Sequence, residues 1–321
     1  MSDTKIGVVG GGNWGKNHIR TLHEMGALGA VVELDEGLRE SLASEHPDVA
    51  IYDSLETVLA GGEGIPDCAG FVTATPAHVH YPIGIQCLEA GKGVLIEKPM
   101  TLDSAESEKL VDAAKAAGQI LMVGHLLLFQ PAVQAIKKYL DSGELGTLHT
   151  LHQVRSKLGR ARAVEDVMWS FGVHDLAVLL YLTGEGPSRI QAMGHAGLQP
   201  DKGISDDVHL QMEFGSGAQA YLHNSWLWPQ VERRLVVVGS RGMLVYDELS
   251  QTVTLHKKTI DSDLQNVDEG EEEIFQGAAQ PLQLELEHFI SAIETGECSI
   301  ADGQNGLDVV RVLEEAAAQL K

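Results

Sequence analysis

Gly10, Gly12 and Gly15 stand at the spacing G-x-G-x-x-G, directly after the apolar run KIGVV and directly before an amphipathic stretch from Trp14 to Met25. That pattern is suited to a diphosphate. The first glycine permits a tight turn, the second lets the backbone approach a pyrophosphate, and the third allows close helix-on-strand packing with the helix N-terminus facing the phosphates. Asn13 and Trp14 lie in the same loop and join the candidate cofactor contacts. The next strand, ALGAVVELDE, ends at Glu33, roughly twenty residues on, where an acidic side chain receives ribose hydroxyls. Asp35 and Glu36 follow without an adjacent Lys or Arg, so a 2′-phosphate would be repelled and NAD is favoured over NADP. Arg39 is the nearby cation that keeps NADP open, and Asp35 and Glu36 also read as charges complementing a helix dipole.

Two further strand ends carry chemistry-bearing residues. GFVTA opens into Thr75-Pro76-Ala77-His78-Val79-His80, so Thr73, Thr75, Pro76 and His80 are expected along the cofactor, although His78 and His80 also read as solvent-facing loop residues. GVLIEKPM is an apolar strand that stops on two opposite charges and a proline. Glu97 and Lys98 therefore emerge where a bound nicotinamide is expected, and Pro99 biases Lys98 toward extended backbone and makes a cis bond accessible. The competing reading of Lys98 is a surface cation paired with Glu97.

These residues need a scaffold that brings strand ends together. The first third alternates apolar strands with helical stretches, which predicts a doubly wound parallel sheet. The pattern changes near His125. Beyond it, LHTLHQVRSKL, DDVHLQMEF and GAQAYLHNSWL alternate with period two, Val208, Leu210, Met212 and Phe214 sharing one face, as in half-buried antiparallel strands. Helical stretches at 282–293 and 306–320 close the chain, and the acidic run 268–273 reads as a solvated loop. The expected fold is α/β: a Rossmann domain over residues 1–124, then an α+β domain over 125–321 built on a largely antiparallel open sheet.

The 321 residues, 44% hydrophobic, suffice for two such cores. Cys68, Cys87 and Cys298 lack CxxC spacing, so neither a disulfide framework nor a metal site is expected. The net charge of −23 argues against nucleic acid as a partner and requires a local basic pocket for any anionic ligand. No run is long enough to span a membrane and the N-terminus lacks a signal pattern, so a cytoplasmic location is expected.

The combination GGGNWG, TATPAHVHY, EKP and GVHDL resembles the Gfo/Idh/MocA oxidoreductases, over nearly the whole chain. The resemblance implies that Lys98 and His174 act beside the nicotinamide and the substrate carbon. Oxidising a secondary alcohol needs a base for the hydroxyl proton and a donor that polarises the oxygen, which suits His174 and Lys98 respectively. The competing reading of His174 is a capping or core histidine. Family members commonly carry an aspartate four residues before that histidine, where this chain has Ser170, which cannot raise the histidine's basicity by charge. The segments 123–146, 155–176 and 280–314 are similar to the sugar-nucleotide branch, in particular to UDP-N-acetylglucosamine 3-dehydrogenases, whose product is consumed by a pyridoxal-phosphate aminotransferase in lipid A synthesis. The resemblance implies a UDP-sugar substrate, with Arg155, Arg160, His125, Trp169, Ser170 and Asp175 as candidate contacts, although His125 and Trp169 read more readily as core packing or a structural hydrogen bond. Arg155, Lys157, Arg160 and Arg162 cluster in an otherwise acidic chain, and arginine forks suit a diphosphate, although each also reads as a solvated surface charge. A UDP-uronic acid, a free sugar or an inositol are alternative substrates, and a dinucleotide-sensing regulator is the non-enzymatic alternative. An open sheet needs covering on one face, so a homo-oligomer, dimer or tetramer, is expected.

Overall fold

Four runs of the first third, IGVV, GFVT, GVLIE and LMVG, are buried at every position, as central strands covered on both faces must be. The computed structural model describes residues 3–159, 161–277 and 279–320. The first part of the chain runs β1 (Ile6–Val9), α1 (Gly15–Glu24), β2 (Leu28–Val32), α2 (Glu36–Glu45), β3 (Ala50–Tyr52), α3 (Leu55–Ala60), β4 (Gly70–Thr73), α4 (His80–Glu89), β5 (Gly93–Glu97), α5 (Ser104–Ala117) and β6 (Leu121–Gly124). Its sheet has the order β3-β2-β1-β4-β5-β6 and is parallel throughout. Strand order reverses between β1 and β4, which opens a crevice at their C-terminal ends. Asp35, Ser54 and Asp103 cap α2, α3 and α5 through their side chains, whereas α1 has no side-chain cap. The Lys16 and Asn17 amides turn back onto the Gly12 and Trp14 carbonyls at 3.0 and 2.9 Å, so no side chain occupies the N-terminal end of α1, where an anion is favoured. Asp35 thus performs the helix-start role expected of it.

The second part runs α6 (Pro131–Asp141), β7 (Leu148–Ser156), α7 (Val173–Thr183), β8 (Pro187–His195), β9 (Asp207–Phe214), β10 (Gln219–Ser225), β11 (Glu232–Gly239), β12 (Gly242–Asp247), β13 (Thr252–Ile260) and β14 (Asn266–Gln276). An eight-stranded sheet has the order β14-β13-β12-β11-β7-β10-β9-β8, antiparallel except for the β10–β7 pair. Val208, Leu210, Met212 and Phe214 are all buried, as the alternation requires. The acidic run 268–273 is not a loop: it lies in β14, paired with β13. Lys258–Asp268 at 3.3 Å and Lys257–Glu272 at 2.8 Å set opposite charges across the strands, which removes the repulsion that makes such a run look unstructured.

The chain closes with α8 (Pro281–Thr295) and α9 (Gly303–Gln319). Packing divides it into one unit of Met1–Leu126 with Gln280–Val310, and another of Leu127–Ala279 with Arg311–Lys321. The first division falls beside His125, and α8 then returns to the parallel sheet instead of staying with the second domain. Gly70 and Gly93 make room for it: a Cβ on either would meet Ile293 within 3.0 Å. No helix of the described residues is long and apolar enough to cross a membrane.

Candidate active site

The glycine loop has the conformation its spacing predicts. Gly10 has φ +97°, and a Cβ there would lie 2.6 Å from the Ala74 carbonyl oxygen. A Cβ on Gly15 would lie 1.9 Å from the Gly10 carbonyl oxygen, so α1 crosses this turn in direct backbone contact. Gly12 differs, because nothing lies within 4 Å of a Cβ there. The fold does not demand glycine at that position, whereas a phosphate group approaching the backbone does. Beside the loop is a cavity of about 600 Å³ lined by Gly10, Gly12, Glu33, Leu34, Leu38 and, from the β4 loop, Thr75 and Pro76. Its size suits the adenosine half of a dinucleotide.

Glu33 Oε2 accepts the Gly11 amide at 2.6 Å and Oε1 accepts the Asp35 amide at 2.8 Å. Each oxygen keeps a lone pair for a ribose hydroxyl. Asp53 and Glu56 also line the cavity; Asp53 follows β3, and its position at a strand's C-terminal end was the available signal for it. Arg39 donates to the Glu33 and Leu34 carbonyls at 2.9 and 2.7 Å, which ties its guanidinium to the backbone beside this acidic wall. The residues present fit NAD, and the wall disfavours a 2′-phosphate. Thr75 Oγ1 is buried and finds no partner among the described residues, as fits a ligand-facing hydroxyl.

Three residues expected along the cofactor are engaged within the fold at this edge. His80 is 1% exposed and does not line the cavity, whereas His78 does. The ring nitrogens of His80 lie 2.8 Å from the Thr75 carbonyl and 3.0 Å from the Pro99 carbonyl. It holds two loops together, and burial lowers its pKa, so neutral His80 donates to one carbonyl at a time. Thr73 is fully buried within β4 and does not line the cavity either. Glu97, expected to face the cofactor, is instead a buried acceptor: Trp14 Nε1 donates to it, His18 Nε2 lies 2.7 Å from Oε1, and the Lys98 amide lies 3.2 Å from Oε2. Gly124 is required opposite it, since a Cβ there would come within 3.0 Å of the carboxylate. Trp14 and the glycine loop are thereby tied to the strand end that carries Lys98; the Lys98–Pro99 peptide is cis.

Two buried groups near this point were not singled out by sequence. His18 is fully buried. Glu285, on α8, is 1% exposed with neither carboxyl oxygen partnered among the described residues. Burial, and then the charge of Glu97, push the Glu285 carboxyl well above the usual range. No local pattern marks either residue, because each is defined by what folds against it. His125 is also fully enclosed; burial, then the nearby positive charge of Lys98, push its pKa down to about 3. His125 is therefore a neutral group adjacent to Lys98.

In the second unit, His174 is half-buried at the start of α7, which follows a π-helical turn over Met168–Gly172. Trp169 and Ser170 sit in that turn, their amides bonded to the Asp166 carboxylate and carbonyl at 2.9 and 3.1 Å. A π turn shifts the phase of the helix that follows, and such turns concentrate at functional sites. Asp175 is fully buried and accepts from Gln153 at 3.0 Å, Arg155 Nε at 2.8 Å and Asn224 at 2.9 Å. Arg155 also makes a fork onto Glu248, at 3.2 and 2.7 Å. Arg155 and Asp175 thus serve each other, which does not fit the substrate contact expected of either: three N–H groups of the guanidinium are held by two buried carboxylates that a diphosphate would have to displace. Their network anchors the first turn of α7 and so positions His174. The expected basic cluster does not assemble among the described residues. Lys157 lies over the Phe171 ring at 5.6 Å, and exposed Arg162 pairs with Glu165 at 3.5 Å; Arg160 lies outside the described residues.

Comparison with known proteins agrees with this geometry. Residues 4–125 match the oxidoreductase family's NAD-binding Rossmann fold, and residues 133–245 match the GFO/IDH/MocA C-terminal domain. The chain is 26% identical to UDP-N-acetylglucosamine 3-dehydrogenase of Acidithiobacillus ferrooxidans, over 99% of this chain and 100% of that protein. It is 30% identical to an inositol 2-dehydrogenase of Renibacterium salmoninarum, over 67% of this chain and 69% of that one. The solved structure of the A. ferrooxidans 3-dehydrogenase matches with TM-score 0.86 at 24% identity and covers 100% of both chains, a likeness that shows the fold. Matched by both family models over more than half of its length, this chain belongs to the Gfo/Idh/MocA oxidoreductase family and carries that family's NAD-binding Rossmann fold.

Proposed function

We propose that the protein is an NAD-dependent sugar-nucleotide dehydrogenase that oxidises the 3-hydroxyl of UDP-N-acetylglucosamine, supplying a 3-keto sugar to a pyridoxal-phosphate aminotransferase. The observation that carries this reading is the end-to-end similarity to the A. ferrooxidans enzyme, over 99% of this chain and 100% of that protein. Gly10, Gly12 and the uncapped start of α1 hold the pyrophosphate of NAD, and Glu33 takes its adenosine ribose. When bound, NAD supplies the hydride acceptor. Lys98 holds and polarises the substrate oxygen, and His174 takes the hydroxyl proton as general base. Trp169 and Ser170, in the turn ahead of His174, are assigned to the sugar, and His125 maintains a neutral wall beside Lys98. Ser170, four residues before His174, supplies a hydroxyl to the sugar and no negative charge to the histidine. We further assign a cytoplasmic homo-oligomer, and light scattering that shows a monomer at working concentration refutes the latter.

A second reading, a polyol dehydrogenase, is favoured by the identity to inositol 2-dehydrogenase. NADH formation measured with UDP-N-acetylglucosamine, UDP-uronic acids, free sugars and myo-inositol, with a trap for the keto product, separates the two. The expected result is turnover with UDP-N-acetylglucosamine, and a loss of about 10²–10⁴-fold in kcat for His174→Ala, with a comparable loss for Lys98→Met. Turnover with myo-inositol alone overturns the substrate assignment. NAD binding without turnover of any substrate supports a dinucleotide sensor, and undiminished activity in folded K98M or H174A overturns the catalytic assignment.

A further inference from the structure

The second unit carries a group of side chains that the dehydrogenase reading does not use. Asp207 and His209 stand two residues apart on β9 and so share one face of the sheet. His223 on β10 is directly opposite His209 in the antiparallel register. This face is the one opposite Val208 and Leu210, which are buried. The Asp207 carboxylate oxygens lie 3.3 Å from His223 Nε2 and 3.6 Å from His209 Nε2. The two imidazoles stack with centroids 4.1 Å apart and planes 4° from parallel. One ligand atom from each residue lies within 4.8 Å of the other two.

We propose that Asp207, His209 and His223 form a binding site for a first-row divalent transition metal, of which Zn²⁺ is the representative. Two imidazoles and one carboxylate are a donor set that favours Zn²⁺, Ni²⁺ or Cu²⁺ over Mg²⁺ or Ca²⁺, which prefer all-oxygen cages. The set brings one negative charge to a dication.

Tetrahedral zinc with bonds of about 2.0–2.1 Å needs donor atoms about 3.3 Å apart, so the side chains must close in from their present spread. His209 has the freedom to do so, with its side chain 65% exposed. His223, 14% exposed, is seated edge-on against Trp228 at 5.1 Å and supplies the fixed point. Paired strands hold the three Cα positions, and the remaining coordination position is left to water.

The test is calorimetric titration of the metal-stripped, full-length protein with Zn²⁺, together with Co²⁺ as a spectroscopic probe. Wild type is expected to take up one equivalent per chain and to develop the ligand-field absorption of low-coordinate Co²⁺. Loss of an outer-shell partner alone costs about 10–100-fold in metal affinity, so His209→Ala and His223→Ala should each weaken binding at least that much. Asp207→Asn should weaken it less. None of these changes touches the cofactor loop, and an unchanged thermal unfolding profile provides the check that the variants remain folded. Zinc uptake by the H209A/H223A double variant equal to wild type overturns the proposal, as does a wild type that binds none.

Discussion

Replacing Arg155 by methionine tests whether this arginine belongs to the fold or to the substrate. The change removes the Nε bond to Asp175 and the two-pronged bond to Glu248, three charge-assisted hydrogen bonds in a site where all three side chains are less than 10% exposed. At roughly 1.5–3 kcal/mol each, the gross loss is about 4.5–9 kcal/mol. Relaxation and entry of water reduce this, and removal of one partner from buried ion pairs costs about 3–5 kcal/mol net. For a folding unit of about 150–250 residues each kcal/mol lowers Tm by about 2–4 °C, so the expected drop is about 6–20 °C. The deficit also depends on pH. Burial already raises the Asp175 pKa, and loss of the Arg155 charge raises it further. A carboxyl raised in the folded state contributes stability that is full below the unfolded pKa and is lost as pH rises through the folded one. The deficit should therefore shrink on acidification from about pH 8 to about pH 5. Thermal unfolding followed by circular dichroism across that range is the assay, with NADH formation measured in parallel below the variant's Tm. An unchanged Tm together with a raised KM for the UDP-sugar refutes the structural role and returns Arg155 to the substrate.

Two glycines of one loop should separate cleanly. Gly12→Val adds a side chain into open space, so it should leave Tm nearly unchanged and abolish NAD binding measured by fluorescence quenching; Gly15→Ala, which meets the Gly10 carbonyl at 1.9 Å, should instead lower Tm. Glu285→Gln removes a carboxyl whose pKa is raised by burial and by Glu97. The wild-type protein should lose stability as pH rises above about 4.5, and the variant should show a flatter denaturant midpoint against pH; parallel curves would show that Glu285 does not titrate in the fold.

The parts legible in sequence are those whose determinants are contiguous. The glycine loop, Glu33 and the strand alternation around Val208 are each specified within a few residues, and the structure reproduces them. Arg155 shows where such reading stops. In LHTLHQVRS the alternation that sends Leu151 inward also sends Gln153 and Arg155 inward, so the pattern itself assigned Arg155 to the core face. Burial of a guanidinium looks forbidden until its acceptors are known, and those acceptors, Asp175 and Glu248, lie 20 and 93 residues away. The same holds for the acidic strand β14, whose compensating lysines are on β13, and for His209 and His223, which become neighbours only through β-pairing. The return of α8 to the first unit is likewise encoded at a distance, in the missing side chains of Gly70 and Gly93.

The charges at the end of β5 serve two different ends. Glu97 is held by Trp14 from the loop after β1 and by His18 from α1, while His80 joins the loop after β4 to Pro99, just after Lys98. Two histidines, a tryptophan and a carboxylate thus draw together the three loops that rim the crevice, with neutral His80 bonded to one of its two carbonyls at a time. A site that must bind a dinucleotide and aim one lysine at a substrate gains from such preorganisation, because ordering the loops at each turnover would cost binding energy. Glu97 therefore acts as a positioning residue for both the glycine loop and the backbone of Lys98. In the proposed reaction Lys98 is left to do the chemistry.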